Sequence, residues 1–208
     1  MDEHIQPDCE LQNNADTRGF AGVAFDFLEM VAWALFVIML VFTFAIRLCR
    51  VEGQSMENTL HNNQLLLTNS FFYEPEQDDI IVFHLTIPEI NMEKTLVKRV
   101  IATGGQHLEI NFSTNEIFVD GVRYADTHSV LKDFNDRMIG YYISHPTGAN
   151  YNNETGIYSV TVPEGCLFVL GDNRNNSNDS RNPAIGFIDE SCVLGKVIFS
   201  VNPFESVS

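Results

Sequence analysis

The sequence is short of positive charge. Twelve lysines and arginines stand against 28 aspartates and glutamates, a formal net charge of −16. Such a surface repels phosphates, which excludes nucleic acid as a partner. Cysteine is scarce as well. Cys9, Cys49, Cys166 and Cys192 show neither zinc-site spacing nor a CxxC redox pair. The histidines, His4, His61, His84, His107, His128 and His145, fall in no triad or metal pattern and read as surface or loop residues. There is no internal repeat, and no helical period is sustained beyond one N-terminal run.

That run is itself defined by an absence. From Met30 to Ile46 there is no charge, no Gly and no Pro. It sits at the short end of the roughly 17–25 residues a spanning helix needs. Phe27 and Leu28 extend it if Glu29 stays at headgroup level. A cleaved secretory signal is disfavoured by the long acidic segment before the run and by the lack of a small-x-small site after it. A buried core helix is disfavoured because helices apolar all round are rare in a domain of this size. The expectation is one transmembrane helix over residues 26–48, with an acidic tail at 1–25 and a folded domain at 49–208. Cys9 and Cys49 then face opposite sides of a membrane and cannot pair. Cys166 and Cys192 lie in apolar stretches and read as free thiols, with a disulfide left open. Arg47 and Arg50 follow the span, so the positive-inside rule alone puts the C-terminal part in the cytoplasm.

After Arg50, short β-prone runs alternate with turn signals. Strands are expected at Gln64–Asn69, Ile80–Leu85, Leu96–Ala102, Ile157–Val162, Cys166–Leu170 and Cys192–Val201. His107–Phe112 and Glu116–Val119 read as a hairpin, followed by an Asp120-Gly121 turn and Val122–Tyr124. Residues 126–156 are polar and irregular and resemble an insertion or long loop. The domain is mainly β, with about 105–163 forming an insertion or second β subdomain.

Three constellations carry chemistry. In Gly53-Gln54-Ser55-Met56-Glu57-Asn58-Thr59-Leu60, Ser55 is either an ordinary turn serine or a nucleophile. In Leu96-Val97-Lys98-Arg99-Val100, strand alternation sets Lys98 on a face with apolar neighbours. Lys98 then either snorkels to solvent or is buried, and burial lowers its pKa until a neutral amine can act as a base. The third, Gly171-Asp172-Asn173-Arg174-Asn175-Asn176-Ser177-Asn178-Asp179-Ser180-Arg181, reads as a surface loop or as a loop packed under a site. A calcium loop fits poorly, since Arg174 falls where an oxygen ligand is needed and no Glu closes the pattern.

Taken in order, these motifs resemble bacterial type I signal peptidase, the leader peptidase family. Its members look like an anchor followed by Ser-Met-x-Pro-Thr-Leu, a Gly-Asp-Ile-Val-Val-Phe strand, Lys-Arg-Val and Gly-Asp-Asn-Arg-x-x-Ser-x-Asp-Ser-Arg. The resemblance spans about residues 30–200. It implies a signal-peptidase-type β-fold and a membrane-bound serine endopeptidase that removes signal peptides from exported preproteins. Ser55 would be the nucleophile and Lys98 the general base, with Ser177 hydrogen-bonding the lysine. Asp179 and Arg181 would form a structural ion pair, with Asp172 also in support, and Met56 would line the substrate pocket. Neither cofactor nor metal is implied, and the partners are preproteins and membrane lipid. Asn58 replaces the motif proline. Asp78 replaces the glycine before Asp79, a surface change of little expected effect. Gly53 stands where some members carry a serine whose hydroxyl completes the oxyanion hole, so a backbone N–H would have to serve. The family places its catalytic part outside the plasma membrane and the N-terminus in the cytoplasm, against the charge rule. The alternative is a signal-peptidase-like assembly factor for pilus or envelope proteins.

Overall fold

The structure is a computed structural model describing residues 20–57, 59–87, 92–126, 150–152, 154–182, 184–202 and 204–206. The acidic tail up to residue 19, Asn58, and residues 127–149 of the expected insertion lie outside the described residues. The chain divides into two units, the first ending at Phe42 and the second beginning at Thr43.

The described part of the first unit lies in one helix, α1, Phe20–Ala45, which runs on into the start of the second. Its sequence is rich in Ala, Leu, Met and Phe and has no proline, so nothing interrupts the hydrogen-bond ladder. At about 1.5 Å per residue it is long enough to cross a hydrocarbon core of about 30 Å. The most apolar stretch of Phe20–Thr43 has a mean hydropathy of 2.2, and none of it is buried within the molecule. Phe25, Trp33, Phe36 and Met39 all lie open, a surface that water disfavours and lipid accepts. The helix starts earlier than the expected 26–48 span and carries Asp26 and Glu29 within it. It also stops sooner, because Ile46–Arg50 forms a strand, β1.

The second unit is mainly β, as the composition after Arg50 suggests. Its further strands are β2 (Leu65–Asn69), β3 (Ile80–Ile87), β4 (Met92–Thr103), β5 (His107–Asn111), β6 (Glu116–Val119) and β7 (Val122–Arg123). Then come β8 (Asn150–Asn152), β9 (Ile157–Thr161), β10 (Cys166–Leu170), β11 (Ile188–Asp189), β12 (Val193–Val201) and β13 (Phe204–Ser206). One sheet runs β1-β2-β12-β3-β4-β10-β11, with β13 beside β12; a second runs β7-β6-β5-β9-β8. All pairings are antiparallel.

β4 positions the site. It pairs with β3 from Met92 to Arg99 and with β10 only from Arg99 to Thr103. The edge of Met92–Lys98 away from β3 therefore has no strand partner among the described residues. Beyond that point β4 and β10 enter a core shared with the second sheet, where Ile101 and Phe168 meet Leu108, Ile117 and Val160. A further cluster of Val51, Met56, Leu60, Leu66, Ile80, Val82 and Val197 anchors the segment after β1.

Candidate active site

Ser55 sits in a loop closed at its base. Val51 N–H donates to Gln64 O and Asn63 N–H to Val51 O, each at 2.9 Å. Buried Gln64 ties the loop down: its Nε2 donates to Ser200 Oγ at 2.6 Å, and its Oε1 accepts from His61 N–H at 2.8 Å. Met56 and Leu60 plug into the core at 1% and 0% exposure, and Leu60 N–H donates to Met56 O at 2.8 Å to form one helical turn. Gly53 has φ +96°, a left-handed conformation that a side chain resists. Its N–H donates to Asn62 Oδ1 at 2.9 Å, so it is engaged and does not face an oxyanion. The Ser55 N–H has no such partner among the described residues and is the donor left for that role.

β4 brings Lys98 to this loop. Lys98 is 2% exposed, and its Nζ lies 2.6 Å from Ser55 Oγ and 2.8 Å from Val97 O. Burial pushes its pKa down to about 8; Asp179 and Asp172 pull weakly the other way, and Arg181 adds to the fall. A charged Nζ donates to Oγ. Once neutral, it accepts the Oγ–H proton. The snorkelling alternative for Lys98 is thus excluded.

The 171–181 segment is packed rather than a solvated loop. Gly171 is required by close approach, since a Cβ there would overlap Ser55 O and Ser177 Oγ. Asn173 N–H donates to Ser55 O, and Asn173 Nδ2 to Gln54 O, both at 3.0 Å, clamping the Gln54–Ser55 peptide and the peptide that follows it. Asp172 accepts from Arg99 Nε at 2.9 Å and Nη2 at 2.8 Å, and from Thr59 Oγ1 at 2.6 Å. Burial opposes the Arg99 charge, but this bidentate carboxylate outweighs it and the pKa is raised. Asp179 takes Arg181 Nε at 2.8 Å and Nη2 at 2.9 Å, and Gly171 N–H at 3.0 Å. Burial works against the Asp179 charge too, yet Arg181 holds its pKa below the usual carboxylate range. Arg174 Nη1 pairs with Asp126 Oδ2 at 2.7 Å. With its carboxylates committed to arginines, the segment has none left for calcium. No group of three or more His, Cys, Asp or Glu among the described residues is arranged to hold a metal.

Two expectations are corrected. The Ser177 hydroxyl does not bond Lys98, whose partners are Ser55 and Val97. It is buried beside Gly171 without a well-aligned hydrogen bond, yet close enough to Asp179 to favour that carboxylate's charge. Asp78 is not a neutral surface change. It has φ +74°, which is why a glycine suits the position. Its carbonyl accepts from Arg99 Nη1 at 2.8 Å and its carboxylate from the Tyr124 hydroxyl. Thr59 and Asn173 escaped the sequence reading, although both lie inside the quoted motifs. Cys49, Cys166 and Cys192 are free thiols.

Two clefts open on Ser55 and Lys98. One, of about 680 Å³, is lined by Cys49, Arg50, Met56 and the unpaired edge of β4 from Glu93 to Lys98. The other, of about 780 Å³, lies towards Asn62 and Asn175–Asn178. Met56 thus combines core packing with a place in the first cleft.

Comparison with known proteins places these features in a family. Residues 24–202 match the family described as signal peptidase, peptidase S26. The chain is 33% identical to signal peptidase I of Bacillus caldolyticus over 158 residues, 74% of this chain and 79% of that protein. It is 32% identical to the probable signal peptidase I-1 of Synechocystis over 183 residues, 85% and 80% of the two chains. Signal peptidase IB of Staphylococcus aureus is 28% identical over 193 residues, 86% and 90% of the two.

Proposed function

We propose, from the premise that this chain belongs to the signal peptidase family, peptidase S26, that Ser55 and Lys98 are the nucleophile and general base of its reaction. Membership makes the protein a serine endopeptidase that cleaves signal peptides from preproteins. Its N-terminal apolar helix fits a membrane-anchored enzyme. The observation that carries the residue assignment is the 2.6 Å approach of a buried, pKa-depressed lysine to a serine hydroxyl.

The substrate binds extended along the open edge of β4 at Glu93–Lys98, adding a strand to the sheet. Neutral Lys98 takes the Ser55 Oγ proton as the oxygen attacks the scissile carbonyl. The Ser55 N–H stabilises the oxyanion, a contribution of roughly 3 kcal/mol per donor. Lys98 then protonates the leaving amine, and water releases the acyl-enzyme by the same base. Asp172, Asp179 and Arg181 act at a distance by fixing the segment that clamps Ser55.

The catalytic domain faces the outside and the N-terminus the cytoplasm, because signal peptides present their cleavage sites at the outer surface. Arg47 and Arg50 belong to β1 and are tied to the fold, which weakens them as topology signals. The anchor confines enzyme and preprotein to one surface and so raises their effective concentration.

The test is cleavage of a preprotein with an Ala-x-Ala site by the detergent-solubilised chain, beside Ser55→Ala and Lys98→Ala. Cleavage by the wild type alone is expected. Full activity in either variant removes that residue from the mechanism. No cleavage of several substrates by any of the three favours an assembly factor of narrow or no activity.

A further inference from the structure

The two clefts at the Ser55–Lys98 pair differ in chemistry. The first begins at Cys49 and Arg50 in β1, the strand that follows α1 directly in the chain. On the peptidase reading, the signal-peptide side of the substrate takes this cleft, along the open edge of β4. A peptide crossing Ser55 from there must leave by the second cleft, past the amine that protonates the new N-terminus.

The second cleft is walled by side-chain amides, among them Gln54, Asn62, Asn176 and Asn178. Their internal bonds are one-sided. Asn62 Oδ1 accepts from Gly53 N–H at 2.9 Å, Asn178 Oδ1 from Asn182 Nδ2 at 2.7 Å, and Gln54 Oε1 from Asn176 Nδ2 at 3.4 Å. For Asn62, Asn178 and Gln54 the oxygen is occupied and, among the described residues, the NH2 group is left as a donor; Asn176 is the reverse, its NH2 engaged by Gln54. The wall therefore offers three neutral amide donors beside the one lysine, Lys98, that lines the cleft. Glu52 and Lys98, which line both clefts, carry charges of opposite sign, so the lining as a whole attracts neither an acidic nor a basic side chain.

We propose that this second cleft binds the first residues of the mature protein and selects uncharged hydrogen-bond acceptors there, such as Gln, Asn and Ser, over lysine and over apolar side chains of equal size. The inference rests on the peptidase reading above and names the leaving-group side of that same site. Peptide carbonyls would take one donor and the side-chain oxygen another.

The experiment uses the full chain in detergent with peptides of one Ala-x-Ala sequence, carrying Gln, Leu or Lys immediately after the scissile bond. Gln should exceed Leu and Lys in kcat/KM by about tenfold, the weight of one or two hydrogen bonds. The double variant Asn62→Asp, Asn178→Asp retains both occupied oxygens but replaces each free NH2 with a carboxylate oxygen. It should reverse the order to favour Lys, while the preference for alanine before the bond is retained. Should that variant misfold, Asn175→Asp, at an exposed position of the same wall, should shift the preference the same way. Ser55-dependent cleavage that ignores the residue after the bond, or is unmoved by these variants, overturns the proposal and leaves the peptidase reading standing. No cleavage of any peptide by the wild type overturns both.

Discussion

Lys98 and Arg99 are neighbours on one strand, both almost fully buried, and their surroundings treat their charges in opposite ways. Arg99 lies in a network of direct ion pairs, with Asp172 gripping its guanidinium through two bonds and Thr59 completing the carboxylate. Among the described residues Lys98 hydrogen-bonds only a hydroxyl and a carbonyl, and its acids act from a distance. Burial is common to both; a contacting carboxylate is not. The difference shows how one strand holds a permanent charge in an ion pair beside one that can be shed.

The comparison breaks most severely if the removable charge is made permanent. Lys98→Arg places a cation that does not lose its proton against Ser55. Peptide cleavage should fall by about 10³-fold, within the usual worth of a general base. Retained activity would show that Lys98 is not the base. A milder probe is pH. Activity of the wild type should rise with pH to a plateau, with a midpoint near 8 where Lys98 becomes neutral. A flat profile between pH 6 and 9 would contradict the role.

On the Arg99 side the large effect is on stability. Asp172→Asn leaves a buried guanidinium without its counter-charge, which costs about 3–5 kcal/mol. Against a typical total of about 5–15 kcal/mol this is a large share, visible as a lowered Tm of the detergent-solubilised chain. Lys98→Met should do the reverse. Because the folded pKa is depressed, the proton on Lys98 opposes folding fully below about pH 8, and the penalty fades as pH rises towards 10.5. Removing the amine should therefore raise stability near pH 7 by up to about 3 kcal/mol, with the gain shrinking above pH 9. Equal gains at pH 6 and pH 10 would show that Lys98 is not buried with a lowered pKa.

The sequence announced this contrast only in part. Apolar alternation around Lys98 marked it as a candidate for burial, and the motif order brought Ser55, Lys98 and the 171–181 segment into one reading. The mainly β domain after a single apolar helix was legible because turn residues punctuate the β-prone runs. β1 was not, because Ile-Arg-Leu-Cys-Arg beside an apolar helix looks like the flank of a membrane span; its strand character comes from pairing with β2, a tertiary effect. The surroundings of Ser177 and the left-handed backbone at Asp78 were hidden for the same reason. Both depend on how distant segments meet, and neither leaves a periodic trace.

The smallest effect tests how the two regions are joined. Asn173 is next to Asp172 in the network, and it reaches the Ser55 loop with two bonds, from its N–H to Ser55 O and from its side chain to Gln54 O. Asn173→Ala removes only the second. The stability loss should be about 1 kcal/mol, the ordinary net worth of a hydrogen bond. The effect on rate should be selective. The Gln54–Ser55 peptide carries the N–H proposed to face the oxyanion, an interaction that would form fully only in the transition state. Loosening the peptide should lower kcat several-fold while KM stays nearly constant, with the midpoint of the pH profile unmoved. A variant whose KM rises while kcat holds would place Asn173 in substrate binding. A shifted midpoint would mean that the clamp tunes Lys98 instead of the oxyanion donor.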